Sequence, residues 1–560
     1  MSRRSLMAGI AVALTSSVTA GSAAAATFTW DGGALQSSAH FREVHPIQTP
    51  NGVTNVSNWG TSAPGGYQPA LPGADDDVFF PADAVVGSSG ADGIGNLINN
   101  GKLITWRRVS LNGDSLHNTG EIWVNGWNDE YLAFRNNATL SGGGTLIGNP
   151  GQSGGMFLSG WGSLTVPAGN YIRGHGEISV DIVNQSTITA QNRTLTVANA
   201  TIDNTDGEII VDNGAALSLN GGGNSGSPPA VIRGGLIHGE PGSQVFGWNG
   251  NAWWEDVALT GNHNLGNNTL VWRGAITNDS TFGFSAGGSR YRTIAAIGEV
   301  LLSGHGEFIL GNHGLNRTRF AGTTGPEPDT IINDTNHTIR GYGYFERVGL
   351  VNRGIISPGV NPGETGWFSG DDFVAGETSR LEIDIRTYGQ EIWVDHLRFD
   401  YFEKNGTLAV NIADDVPLAP GQVFEIVRAN DDAFGSFDKL EVNPLPDGNQ
   451  LMVRTVRRNG DEYIELVVTG PETGDFNNDG VINQADFTVW RDALDLGLMT
   501  KDDYHLFNNR FNWRVLRQVT PLGNPVAAPE PTTAAILFAT ALATAGKRRR
   551  LQSDCVQSAA

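Results

Sequence analysis

The sequence predicts an all-β fold, and within that class a right-handed parallel β-helix, from three observations. Across residues 27–469 short apolar alternations are broken by Gly, Asn and Asp with almost no 3.6-residue periodicity, the pattern of strands joined by turns. A motif of apolar, any, Gly, any, Gly, any, apolar recurs at 140–146, 172–178, 302–308 and 339–345. A second motif, Asn followed after a short gap by Gly and a β-run, recurs at 118–124, 204–211 and 352–356. Irregular repetition with constant turn chemistry is what stacked coils leave in a sequence, because each coil buries a few apolar side chains against its neighbours.

The elements follow in chain order. Residues 27–80, with Trp30-Asp31-Gly32 and Asn58-Trp59, are longer-looped and aromatic and are expected to cap the first coil. Period-two runs such as 121–124, 194–197 and 208–211 are strands, each closed by a nearby Asn or Gly that tolerates a left-handed turn. Coils of about 22 residues at the ~4.8 Å strand spacing would turn the roughly 320 residues up to Glu346 into a rod of about 70 Å. Cap and coils together form a first domain, 27–356. Twin β-sandwiches are the alternative, and they would use less Gly and cleaner Asn-Gly hairpins.

From Ser357-Pro358-Gly359 the pattern changes to well-spaced strands at 381–385, 406–410 and 423–427. With Asp395-His396-Leu397 before the second strand and Gly435-Ser436-Phe437 after the third, this block resembles the C-terminal part of autotransporter-type β-helix passenger proteins. The resemblance implies that 357–470 is a β-rich cap that ends the helix and covers its last edge; a separate small β-sandwich is the alternative.

After the linker Pro471-Glu472-Thr473-Gly474, residues 475–486 read DFNNDGVINQAD. Oxygen-bearing side chains fall at loop positions 1, 3, 5, 9 and 12, as Asp475, Asn477, Asp479, Asn483 and Asp486, and Val481 offers its carbonyl at position 7. A hard cation such as Ca²⁺ needs six to eight oxygens, Gly480 permits the sharp bend, and Ile482 pins the loop to the core. The closing Asp486, followed directly by a helix at 487–494, resembles a type I dockerin repeat, so 475–520 is expected to be a small α-helical module. Residues 500–511 lack a second ligand series, so one calcium site is expected. The resemblance implies a cohesin-like partner; a purely structural module is the alternative.

The two ends carry sorting chemistry. Met1-Ser2-Arg3-Arg4, an apolar run and the small residues 22–26 read as a signal peptide, 1–26, for the general secretory or the twin-arginine route. Residues 529–550 place Pro529-Glu530-Pro531 before a short apolar stretch, 532–546, and the cluster Lys547-Arg548-Arg549-Arg550. The stretch is shorter than the ~20 residues that span a bilayer, so only transient or weak membrane association is expected from it. These residues resemble the PEP-CTERM sorting signal, which implies an exosortase-type processing enzyme and a secreted or cell-surface destination.

Charge narrows the partners. With 58 acidic against 36 basic residues the net charge is −22, which argues against nucleic acid and anionic membranes. The single cysteine, Cys555, lies in the last residues, so packing and backbone pairing must hold the fold together.

Signals for catalysis are sparse. The Gly151–Gly155 nucleophile-elbow match has no strand-to-helix context. His175 with Glu177 and His305 with Glu307 hold equivalent places in two repeats, as general acid/base pairs or simply as polar outward positions. Trp253-Trp254-Glu255-Asp256, Trp123 and Trp127 offer faces for sugar stacking or side chains for the core. The leading expectation is a non-catalytic, adhesin-like rod that meets extracellular polysaccharide or matrix. The alternative is a polysaccharide lyase or glycoside hydrolase on the same scaffold.

Overall fold

The computed structural model describes most residues of 94–469 with short gaps, part of 484–494, and backbone strands within 27–93, at 481–482 and at 513–514. All of these fall in a first unit, 1–519; the second unit, 520–560, lies outside the described residues, as do the expected signal peptide 1–26 and sorting signal 529–550.

Among the described residues the chain is nearly all β, with a single helix, and forty-two strands belong to one sheet built mainly of parallel pairs. This mainly parallel pairing differs from the hairpins expected of the sandwich alternative. Strand Lys102–Thr105 pairs with Glu121–Val124, which pairs in turn with Thr145–Gly148, and the next coils repeat the step. Register places like on like. Leu103, Ile122, Leu146, Ile172, Ile188, Ile209, Ile237 and Leu259 stand one above another along successive pairs, and all are buried. Full burial of each such side chain stabilises by about 1.5–3 kcal/mol, so the stack is a main source of cohesion.

The recurring Gly motif marks corners, where the chain passes from one stack of strands to the next. Its flanking apolar residues, Leu140 and Leu146 in the first copy and Ile339 and Phe345 in the last, point into the core. The glycines let the corner sit hard against the coil before it: a Cβ on Gly176 would drive into the Met156 carbonyl oxygen, and one on Gly341 into that of Leu310.

The second motif forms a buried polar ladder. Asn99, Asn118, Asn184, Asn204, Asn333 and Asn352 are all enclosed, and pairs from adjacent coils bond directly. Asn99 Nδ2 donates to Asn118 Oδ1 at 2.8 Å, Asn184 to Asn204 at 2.6 Å, and Asn333 to Asn352 at 2.7 Å. Their remaining amide protons serve turn carbonyls such as Gly101 O and Gly354 O, satisfying backbone that the corners would otherwise leave unpaired.

The core changes character along the chain. From Trp254 onward aromatic rings join the aliphatic side chains: Phe282 stacks on Phe308 at 5.1 Å, Phe320 on Phe345 at 5.4 Å and Phe373 on Phe402 at 4.5 Å. Parallel pairing continues past residue 357 through Ile356, Leu381, Leu408 and Leu440. The hairpin of Gln450–Arg458 and Asp461–Thr469 then joins antiparallel to Val423–Gly435.

Candidate functional site

Of the expected calcium ligands, Asp475, Asn477, Asp479 and Asn483 lie outside the described residues, and Val481 is described only as backbone. Asp486 is fully buried in the first turn of the helix Gln484–Asp495, which begins two residues before it. Phe487 and Trp490 pack together on the same helix at 5.5 Å. Val481 and Ile482 pair antiparallel with Arg514 and Trp513, so the chain beyond the helix returns against the loop.

The other sequence candidates separate. His175 is buried beside the Gly174 and Gly176 corner, whereas the His305 side chain is 82% exposed next to Asp279, so the two motif copies do not present equivalent pairs. The reason is local: the register shifts between Gly174 and Gly176, and the continuous strand there carries the ring inward. Glu177 faces outward between Phe157 and Thr196, and partial burial pushes its carboxyl above the usual range. Residues 150–154 and Trp127 lie outside the described residues. Trp254 is fully enclosed and packs edge-on against Phe282, so it serves the core and not a ligand. Trp123 is covered by Lys102, whose Nζ lies 3.7 Å from the ring centre. Glu255 bridges Arg233 at 2.8 Å and Arg273 at 3.5 Å on neighbouring coils, a charge ladder in which each group is spoken for.

One pair of buried carboxylates meets near residue 390. Asp395 accepts the amide protons of Gly366 at 2.5 Å and Asp384 at 2.7 Å, while Asp384 accepts from Asn411 at 2.6 Å. Burial pushes both carboxyls up, Asp395 well above the ordinary range and against the pull of its two amide donors. Asp395 is fully enclosed, so it pins the 359–366 loop to the hairpin of Arg380–Tyr388 and Glu391–Val394. Among the described residues no group of three or more His, Cys, Asp or Glu could hold a metal ion.

A different arrangement emerges on the outward face of the strands Thr338–Glu346, Trp367–Ala375, His396–Lys404 and Val423–Gly435. In one row Tyr342, Trp367 and His396 are register partners on successive coils; in the next, Arg319, Tyr344, Ser369, Arg398 and Arg428 are. Tyr344 meets the partly exposed Trp367 edge-on at 4.8 Å. Around these rings polar groups hold one another in place: His396 Nε2 lies 3.2 Å from Glu425, Arg398 donates to Asn430 at 3.3 Å, Arg428 pairs with Asp461 at 2.6 Å, and Arg319 pairs with Glu346. Sequence reading missed this face because its members are 20 or more residues apart and meet only through register.

Compared with known proteins, the chain matches no family model and no curated protein.

Proposed function

We propose that the chain is an exported, non-catalytic surface protein. Its body is a right-handed parallel β-helix that acts as an adhesin-like or matrix-associated rod and meets extracellular polysaccharide. The observation that carries the reading is the ladder itself: one row of aliphatic side chains and one of buried Asn amides run from coil to coil with their polar groups consumed internally. Some ionisable groups of the described faces form ion pairs along the ladder, such as Arg233–Glu255–Arg273, which supports a scaffold over an active site. A polysaccharide-degrading enzyme is the second reading, favoured by Glu177 with its raised pKa on an outward face. A screen against neutral and acidic glycans that reads both binding and new reducing ends decides between them. Binding without cleavage is the expected result, and accumulation of reducing ends would overturn the non-catalytic reading.

The C-terminal module completes the proposal as one dockerin-like calcium repeat, with Asp475, Asn477, Asp479, Val481, Asn483 and Asp486 as ligands. A cohesin-like protein and an exosortase-type enzyme are its proposed partners. In so small a module metal binding and folding are coupled. Titration calorimetry on the full chain should return one Ca²⁺ per chain, and Asp479→Ala should abolish it; binding that survives this substitution would refute the assignment.

A further inference from the structure

Six aromatic side chains are exposed among the described residues, and four of them, Trp367, Tyr388, Trp393 and Phe434, fall within 367–434. Trp367 stands at the centre of the two outward rows described above. Beside it Ser369, the smallest side chain of its row, leaves a notch between Tyr344 on the preceding coil and Arg398 on the following one. The notch follows from side-chain size, with Tyr344 and Arg398 as the register neighbours of Ser369 and Trp367 two residues before it. Beyond Trp367 the Tyr342 hydroxyl donates to the Thr365 carbonyl, which fixes that ring against the sheet. Tyr388, at the end of its hairpin strand, is 64% exposed and packs against Trp393 at 5.4 Å.

Three features identify the kind of molecule that fits. Main-chain groups of these strands are paired on both sides, so a peptide cannot add as a further strand and recognition must come from side chains. Each arginine of the face is held by a neighbour, Arg319 by Glu346, Arg428 by Asp461 and Arg398 by Asn430, which in turn donates to Asp400, and the chain as a whole carries −22; a polyanion therefore gains little here. Flat rings interleaved with held carboxylates, guanidinia and amides suit a ligand with apolar ring faces and hydroxyl edges. Successive coils are ~4.8 Å apart, about the length of one pyranose unit in an extended chain, so the four coils from Tyr344 to Arg428 offer one set of contacts per sugar.

We infer that the face bearing Tyr344, Trp367, Ser369, His396 and Arg398 binds an uncharged polysaccharide laid along the ladder, with one sugar ring over Ser369 against Tyr344 and Trp367. The inference rests on the proposed polysaccharide-meeting role and adds to it a place and a ligand class.

The test uses the full chain and hexasaccharides of the cello-, xylo- and β-1,3-gluco- series, with oligogalacturonate as the acidic arm, read by titration calorimetry. At least one neutral hexasaccharide should bind. Trp367→Ala should weaken that binding by about tenfold or more. Ser369→Tyr, which fills the notch while removing no contact, should do the same with an unchanged circular dichroism spectrum. Trp161→Ala, at a 92% exposed ring on a distant coil, should leave binding unchanged. If both notch variants bind neutral sugar as well as the parent, this site is wrong while the broader reading survives. Binding confined to oligogalacturonate overturns the uncharged class, and a chain that binds no glycan overturns site and broader reading together.

Discussion

Replacing Asn333 by leucine should lower stability by about 3–5 kcal/mol, although leucine is apolar and similar in size. Asn333 is the middle of a buried chain of hydrogen bonds whose direction is dictated throughout. Asn278 Nδ2 donates to His337 Nε2 at 3.1 Å, which requires the His337 proton on Nδ1. That Nδ1–H donates to Asn333 Oδ1 at 2.6 Å, Asn333 Nδ2 donates to Asn352 Oδ1 at 2.7 Å, and Asn352 Nδ2 donates to Ser379 Oγ at 2.7 Å. Leucine would strand the His337 donor and the carbonyls of His337 and Ile355 that Asn333 also serves. Each buried polar group left without a partner costs about 1–3 kcal/mol, more than the added apolar contact returns. Urea melts followed by circular dichroism measure the difference; a loss under about 1 kcal/mol would show that the chain of bonds contributes little.

Acidification should destabilise the fold between pH 6.5 and 4, with the same ring as a principal cause. Burial lowers the pKa of His337 from 6.5 to about 4, and it does the same to His263, which packs against Phe282. Both are neutral when folded and free to protonate when unfolded. Below pH 6.5 the unfolded state therefore binds more protons; stability fully present above that pH is lost as the pH falls toward 4, by about 3 kcal/mol for each ring. Asp395 and Asp384 act with the opposite sign, because their raised pKa values make the folded state the better proton binder as the pH drops. A substitution separates the contributions. His337→Gln keeps one acceptor and one donor but does not titrate, so the gap between parent and variant should shrink by about 3 kcal/mol from pH 7 to pH 4. Parallel stability curves for the two proteins would exclude His337 as the cause.

Much of the architecture was legible because turn chemistry is local. Each Gly-any-Gly motif implies a turn from seven residues, and each Asn-gap-Gly motif implies one from three or four, so Asn118, Asn204 and Asn352 could be picked out before any pairing was known. What escaped was everything that depends on which coil lies above which. Asn278 and His337 are 59 positions apart and meet only because a coil ends without an Asn of its own in reach. The same blindness left the tryptophans open between core and surface: adjacent residues in a strand face opposite ways, so Trp254 went to the core while Trp253 stayed at the surface side. The face around Trp367 was invisible for that reason too, since Tyr344, Ser369 and Arg398 share nothing in the sequence but their register. The proposed calcium loop is the contrary case, contiguous in the sequence, with Asp486 as the one proposed ligand whose side chain the structure describes.

The change of core at Trp254 has a consequence for how such a protein can vary in length. In the aliphatic part, Ile188, Ile209 and Ile237 are interchangeable plugs, and excising one whole turn brings together two neighbours that already match. In the later part Phe282, Phe308, Phe320 and Phe345 alternate between stacked and tilted contacts, each shaped to a particular neighbour. Losing a turn there would set the wrong ring against the wrong gap. Gain and loss of turns is therefore expected to cost less before residue 254 than between Phe282 and Phe345, where each ring is fitted to its neighbour.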